Sequence, residues 1–460
     1  MPDVGIIGAG ISGLAAAYRL HEHGLSVQVL EASGETGGVI QSDSSGGFLV
    51  EDGPNSIRAG APALEALIDA LDLQDERVWA NDEADTRYVV RDGRPTPLPR
   101  SIRSFLTTDL FSTRAKLRLL AEPFIGRAAG EEESVAQFTE RRLGPEVLKY
   151  AVAPFVGGVF AGTPDDLSVQ HALERLTALE DESGSLLLGA IRNALTDGDD
   201  APDTPSGLFS FRDGLQTLPN ALADALGDRI ARNAPVHALR RDGAAWKATI
   251  SPADAPDSTR AYDALVCTAP LHRLSEMKID TSVDLTPLGD VSHPPLSVLA
   301  LGYERAAIDH PLDGFGLLVP PVEDELDILG TIFSSTIFPG RAPDEHVLLT
   351  TFVGGGRAPD QATTDTAPLQ ALVERDLDAL FGVSASPVFR RHVHWPHAIP
   401  QYELGYGVVK DTLNALEAAH PRLAFAGNYR AGVSVGDALT SGMEAADRLL
   451  GLDERAPQPH

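Results

Sequence analysis

The sequence predicts a mixed α/β and α+β fold. A Rossmann-like dinucleotide-binding domain, discontinuous along the chain, joins a β-rich domain and a helical insertion. Three observations predict this. A strand, a glycine-rich turn and a helix open the chain at Val4. Helical patterns dominate from Leu98 to about Leu195, and strand patterns dominate from Pro294 to Pro400. A last strand and helix, from Leu423 to Leu450, read as a return to the first sheet.

The opening unit comes first. Val4 to Ile7 is a short apolar strand, and Gly8, Gly10 and Gly13 follow it as G-x-G-x-x-G. An Ala-rich helix then runs to about His23, and a second strand, Ser26 to Leu30, ends on Glu31. Gly8 permits the tight turn, Gly10 lets the backbone approach a pyrophosphate, and Gly13 lets helix and strand pack closely. The pyrophosphate charge meets the helix N-terminus. Glu31 is placed to accept hydrogen bonds from ribose hydroxyls. A second glycine pair, Gly37-Gly38, follows the acid closely. It suggests a second backbone approach to the same cofactor, which an extended FAD needs and NAD does not.

The remaining elements follow in order. Gly47 to Ile57 is a strand ending in a Gly-Pro-Asn-Ser turn, and 61–71 reads as a helix. Thr86 to Leu98 reads as a hairpin turning at Asp92-Gly93. Helical segments are expected at 113–125, 135–143, 145–155 and 171–179. An Asp/Pro/Gly-rich stretch at 197–205 is the clearest linker. A helix through Leu226, strands over 230–250 and a return strand at 262–269 lead to the β-rich part. There, strands are expected at 296–303, 314–319, 328–332, 346–354 and 388–394, with a covering helix at 367–380. These boundaries give a cofactor domain of 1–85, 206–275 and 405–452. The β-rich substrate domain is 86–97 with 276–404, the helical domain is 98–196, and 453–460 is a tail.

Composition narrows the function. The chain has 460 residues and a formal charge of −29, with five Lys among 37 basic residues. Such an acidic surface disfavours nucleic acid and anionic membranes. The single cysteine, Cys267, excludes an internal disulfide and a CxxC pair, and its apolar surroundings read as core. Among the histidines, His392, His394 and His397 come closest to metal spacing, but no Cys or acid completes a site, so no metal is expected. Absence of a signal-like segment and of a long apolar run leads to an expected cytoplasmic location.

Several stretches together resemble one family. They are the opening unit, Gly53-Pro54-Asn55-Ser56, Phe138 to Val147, Gly158 to Gly162, Ile399-Pro400-Gln401-Tyr402 and Ala426 to Val435. The chain resembles the FAD-dependent amine-oxidase-like superfamily and, within it, the protoporphyrinogen oxidase family. The resemblance implies non-covalent FAD held by Gly8, Ala9, Gly10, Ile11, Ser12, Gly13, Glu31, Ala32, Gly38, Val39, Gly53, Pro54, Asn55 and Ser56. It adds Val236 on the adenine side, and Asn428, Val433, Ser434 and Val435 at the flavin. For a porphyrinogen substrate it implies a propionate anchor at Arg87, apolar walls at Phe315, Leu318 and Phe352, and room left by Gly158. A planar guanidinium binds a carboxylate bidentately, so Arg87 suits that task. Val39 stands where many amine oxidases carry Arg, which favours the porphyrinogen branch.

The implied reaction is oxygen-using oxidation of protoporphyrinogen IX in three flavin cycles, six electrons in all, with hydrogen peroxide as product. Oxidation of coproporphyrinogen III, another amine oxidase or desaturase activity, and a flavin-binding assembly partner without turnover are the alternatives. No catalytic acid or base is named. The resemblance leaves open weak peripheral contact with the inner face of the cell membrane, a homodimer, and hand-over to the next haem-pathway enzyme. No nucleic acid partner is expected.

Overall fold

The computed structural model describes residues 3–127, 130, 132–189, 192, 207–253 and 255–451. The linker read at 197–205 and the tail at 453–460 lie outside them. Five strands form the first sheet, in the order Ile230–Ala231, Val27–Leu30, Val4–Ile7, Ala264–Cys267 and Leu423–Phe425. Every pairing in it is parallel. Its central strands are apolar throughout, as a sheet covered on both faces requires. Val4, Ile6 and Val29 face the first helix, Ile11–Glu22, and the terminal helix, Val435–Leu450. Ile7, Leu30 and Cys267 face the opposite way, against Trp246, Tyr262 and the helix Gly407–Ala419.

A four-stranded sheet follows, ordered Ser258–Tyr262, Ala245–Ile250, Val236–Asp242 and Lys278–Ile279. The third large sheet has seven strands. Its order is Phe389–Trp395, Leu296–Glu304, His346–Gly354, Ile328–Phe333, Gly316–Leu318, Arg87–Arg91 and Arg94–Pro97. The hairpin turning at Asp92-Gly93 is thereby stitched onto strands more than 200 residues later, through the parallel pairing Arg87↔Gly316. The helix Thr366–Phe381 covers this sheet through Leu369, Val373 and Leu377.

The helical part departs from its sequence reading. The helix expected at 145–155 is instead Pro145–Val147, a π-helical turn at Leu148–Val152, and a helix Ala153–Phe160. Pro154 has no N–H to continue an ordinary ladder, so it falls in the first turn of a new helix. The expected 113–125 helix stops at Leu120 before Pro123 and resumes as a single 3₁₀ turn. Among the described residues no helix is long and apolar enough to cross a membrane.

Candidate functional site

The glycine turn is built to leave one surface open. A side chain at Gly13 would approach the Gly8 carbonyl oxygen to 2.0 Å, so helix and strand touch there. A side chain at Gly10 would meet nothing within 4 Å. That gap lies at the N-terminus of the first helix, where Gly10 supplies no side-chain cap for the free N–H groups. The second glycine pair closes on the same point. Gly37 bridges to Gly10, and a side chain at Gly38 would lie 3.2 Å from the Gly10 Cα. Glu31 is fixed at the turn, its Oε2 accepting from the Ala9 N–H at 2.7 Å and its Oε1 from the Ser33 N–H at 2.8 Å. Two carboxylate oxygens offer about four acceptor sites, so two remain for ribose hydroxyls. These residues fit a dinucleotide cofactor.

Val236 lies on the same side. The Ala234 N–H donates to the Glu31 carbonyl at 2.7 Å, and the strand Val236–Asp242 begins two residues on. Val39 is 53% exposed despite being apolar, and its carbonyl oxygen sits 2.1 Å from where a side chain on Gly53 would begin. Val433 to Val435 enter from the other end of the chain. Ser434 caps the terminal helix, its Oγ accepting from the Asp437 N–H at 3.1 Å in a capping box. The Asn428 backbone carbonyl accepts from the buried Tyr402 hydroxyl, and Tyr406 donates to the Tyr429 carbonyl at 2.7 Å. Asn55 and Ser56, expected at the cofactor, line a cleft together with Phe315. They therefore sit where the cofactor turn meets the substrate side.

One face of the seven-stranded sheet carries most of the predicted substrate residues. Arg87 pairs with Gly316, Val89 with Leu318, Leu318 with Gly330, and Gly330 with Phe352. Paired residues share a face, so Leu318 and Phe352 form one apolar row with Gly330 between them. The helix Ala153–Phe160 lies across it. A side chain at Gly158 would meet Leu318 Cδ2 at 2.6 Å, so the glycine lets helix and sheet approach closely, with Leu318 in the space that the missing side chain leaves. Phe155 and Val159, one helical turn apart, are exposed on the same helix. Phe352 packs with Ala161 and Leu296 at the inner end. Arg87 holds its guanidinium over the Phe315 ring, 5.1 Å from the centroid. Burial and the neighbouring Arg58 charge hold it below the usual arginine range.

Sequence reasoning missed part of the cleft. Glu51, Ser334, Phe338 and Arg341 also line it. Arg341 is 2% exposed, reaches Glu51 at 3.3 Å and lies over the Phe338 ring. Burial pushes Glu51 up and Arg341 down, each opposed by the other's charge. Ser42 Oγ donates to Glu51 at 2.6 Å and the Leu215 N–H at 3.0 Å, so its oxygens are committed to holding structure. The residues come from two segments almost 300 positions apart, and no spacing in the chain announces them.

The histidines behave differently from their spacing. His392 has the Ser297 hydroxyl at 2.9 Å on one ring nitrogen and the Thr366 hydroxyl at 2.8 Å on the other. His397 instead stacks on His272, 4.4 Å between ring centroids. Among the described residues no group of three His, Cys, Asp or Glu has metal-binding geometry. Cys267 is buried in the first sheet, which pushes its thiol up to about 12.

Comparison with known proteins adds five findings. The model of the family described as flavin containing amine oxidoreductase matches residues 11–450. Protoporphyrinogen oxidase 2, chloroplastic/mitochondrial, of Arabidopsis thaliana is 36% identical, over 97% of this chain and 93% of its own. The mitochondrial protoporphyrinogen oxidase of Nicotiana tabacum is 37% identical, over 97% and 94%. The coproporphyrinogen III oxidase of Bacillus subtilis (strain 168) is 26% identical, over 97% of each chain. Among solved structures, a candidate protoporphyrinogen oxidase of Exiguobacterium sp. 255-15 superposes with a TM-score of 0.81 at 22% identity, covering 96% of this chain and 97% of its own. At that identity the superposition speaks for the fold alone.

Proposed function

The chain belongs to the flavin containing amine oxidoreductase family, and on that premise we propose that it oxidises protoporphyrinogen IX to protoporphyrin IX in haem biosynthesis. One observation carries the reading. Leu318, Gly330 and Phe352 form an apolar row on one sheet face, closely approached by the helix at Gly158, and Arg87 stands over Phe315 at its rim. A flat apolar ring with acidic arms suits an apolar face with a guanidinium at its rim. The two plant relatives bear the same activity in their names at 36% and 37% identity.

Non-covalent FAD is the proposed cofactor, in the cradle of Gly10, Gly38 and Glu31. A bound FAD supplies the redox chemistry: six electrons leave the porphyrinogen in three two-electron oxidations, with oxygen as the final acceptor and hydrogen peroxide as product. The chain's own residues orient and enclose. Arg87 anchors a propionate, Leu318 and Phe352 hold the ring, and the helix bearing Gly158 keeps water from one side of it. No acid or base is needed from the chain in this reading.

Parallel aerobic assays with protoporphyrinogen IX and coproporphyrinogen III, read by porphyrin fluorescence, test the proposal. Faster conversion of protoporphyrinogen is expected. Preference for coproporphyrinogen would move the assignment to the activity named for the Bacillus subtilis relative. No fluorescence above the autoxidation control with either would remove the enzyme reading.

We also propose a cytoplasmic protein making peripheral contact with an anionic membrane. Residues 91–127 carry eight Lys or Arg and three Asp or Glu, in a chain of net charge −29. The same segment exposes Leu106, Leu117, Leu120 and Phe124, the last at 91%. Apolar residues interleaved with cations suit an anionic lipid surface. Co-sedimentation with phosphatidylglycerol vesicles, and none with phosphatidylcholine vesicles, is the expected result.

A further inference from the structure

Arg58 ends a two-residue strand, Ile57–Arg58, paired with the strand Leu208–Phe211. Ile57 is buried and Arg58 exposed. Side chains alternate along extended chain, so Ser56 and Arg58 point the same way, away from Ile57. Ser56 lines the cleft beside Phe315, and Phe315 lies under the Arg87 guanidinium. Arg58 is also close enough for its charge to act on Arg87.

The charges at this rim do not balance. Asp85 is 3.7 Å from Arg87, but its other oxygen is taken by Arg100. Asp82 and Glu83, on the same turn as Asp85, form no ion pair with these arginines. Arg58 has no ion-pair partner among the described residues. Arg87 and Arg100 thus share the Asp85 carboxylate, and Arg58 adds a third guanidinium in range of Arg87, in a chain whose overall excess is strongly acidic. Two like charges held in range repel each other and gain nothing for the fold. Two guanidinium groups in range of each other, one without an ion-pair partner among the described residues and one sharing its carboxylate, match a ligand with two carboxylates on one edge.

We propose that Arg58 is a second carboxylate anchor, acting with Arg87 so that two neighbouring acid arms of the macrocycle are each held by one guanidinium. The inference rests on the porphyrinogen reading above and extends it. It makes the cleft selective for a ring whose acid arms sit side by side, and it fixes the rotation of that ring against the sheet. A single anchor would let the ring pivot. Two anchors decide which ring position faces the cofactor.

The test uses the flavin-loaded full chain and two probes, protoporphyrin IX and its dimethyl ester, titrated by fluorescence. Wild type is compared with Arg58→Gln, Arg58→Lys, Arg87→Gln and the double Gln variant. Losing one charged hydrogen bond of this kind weakens binding by about tenfold. Arg58→Gln should therefore bind the diacid about tenfold more weakly, raise KM by a similar factor and leave kcat near wild type. Arg58→Lys should recover most of the loss. The diester, lacking both charges, should respond to neither substitution. Arg58 is exposed, and its variants should keep the wild-type flavin content and melting temperature. Equal diacid binding by wild type and Arg58→Gln overturns the second anchor, as does an equal loss with the diester. Wild type that oxidises neither porphyrinogen overturns the functional reading itself, and the second anchor with it.

Discussion

The Ser12 hydroxyl donates to the Ala438 carbonyl at 2.6 Å, across 426 residues of chain. Ser12 belongs to the glycine turn, and Ala438 to the first turns of the terminal helix. One turn further on, Gly442 brings that helix against the Ser12 backbone itself. The two ends of the chain are therefore locked together directly beneath the cofactor cradle, and Val433 to Val435 are held at its edge by the same contact.

Gly442→Ala should loosen this joint. The new methyl would lie 2.1 Å from the Ser12 carbonyl oxygen, backbone that cannot swing away. Overpacking of this kind costs about 1–3 kcal/mol, against a gain of about 1 kcal/mol in helix propensity. We expect a lower melting temperature and faster flavin loss on dialysis. Absorbance near 450 nm after dialysis measures the second. A variant as stable and as yellow as wild type would refute the close fit.

The opening unit was legible because its chemistry is local. Gly8, Gly10, Gly13 and Glu31 announce themselves by spacing, and Gly37-Gly38 follow within reach. Arg87 and Gly158 were legible only through family resemblance, since one arginine on a hairpin and one glycine in a helix carry no signal alone. Arg58 was not legible. Its partner strand is 150 residues away, and its meaning comes from Arg87 lying in range of its charge. The histidines show the same limit. His392 and His394 looked like a group on one strand, yet His392 is satisfied by Ser297 and Thr366, while His397 joins residues more than 100 positions earlier.

Gly158→Val should push Leu318 out of place. The new side chain would meet Leu318 Cδ2 at 2.6 Å, so the apolar row on the sheet must shift. Binding energy for the ring would fall, and a loss of about 1.4 kcal/mol is tenfold in kcat/KM. We expect at least that loss in porphyrinogen turnover, with flavin content unchanged because the cradle is elsewhere. Full activity would show that the substrate does not rest against Leu318.

Arg341→Leu should be among the most damaging single changes. It strands Glu51, 4% exposed, without its cation in a buried setting. Breaking such a pair from one side costs about 3–5 kcal/mol. Adding Glu51→Gln should restore part of the stability, because the remaining group is neutral, its amide oxygen can still accept from the Leu215 N–H and its NH2 can donate to the Ser42 oxygen. Urea unfolding of the two single variants and the double closes the cycle. Additive effects would show that the two side chains act independently.

Acid should weaken the joint between the first sheet and the seven-stranded sheet. His272 follows the strand Ala264–Cys267, His293 precedes Leu296–Glu304, and His397 follows Phe389–Trp395. His272 stacks on His397 at 4.4 Å and meets His293 edge-on at 5.2 Å. Burial, then the charges of His293, His397 and Arg273, lower His272 to about 4, with Glu276 opposing. His293 is lowered as well, chiefly by burial. In the unfolded chain these imidazoles titrate near 6.5. The unfolded state therefore binds more protons between about pH 6.5 and 4, so stability is full above 6.5 and falls as pH drops through that window. A protonated cluster would also set like charges a few ångströms apart. Melting temperatures measured from pH 7.5 to 5 at fixed high salt should decline. His272→Asn keeps a polar group in place and should flatten that decline. An identical slope in wild type and variant would show that the cluster does not govern acid stability.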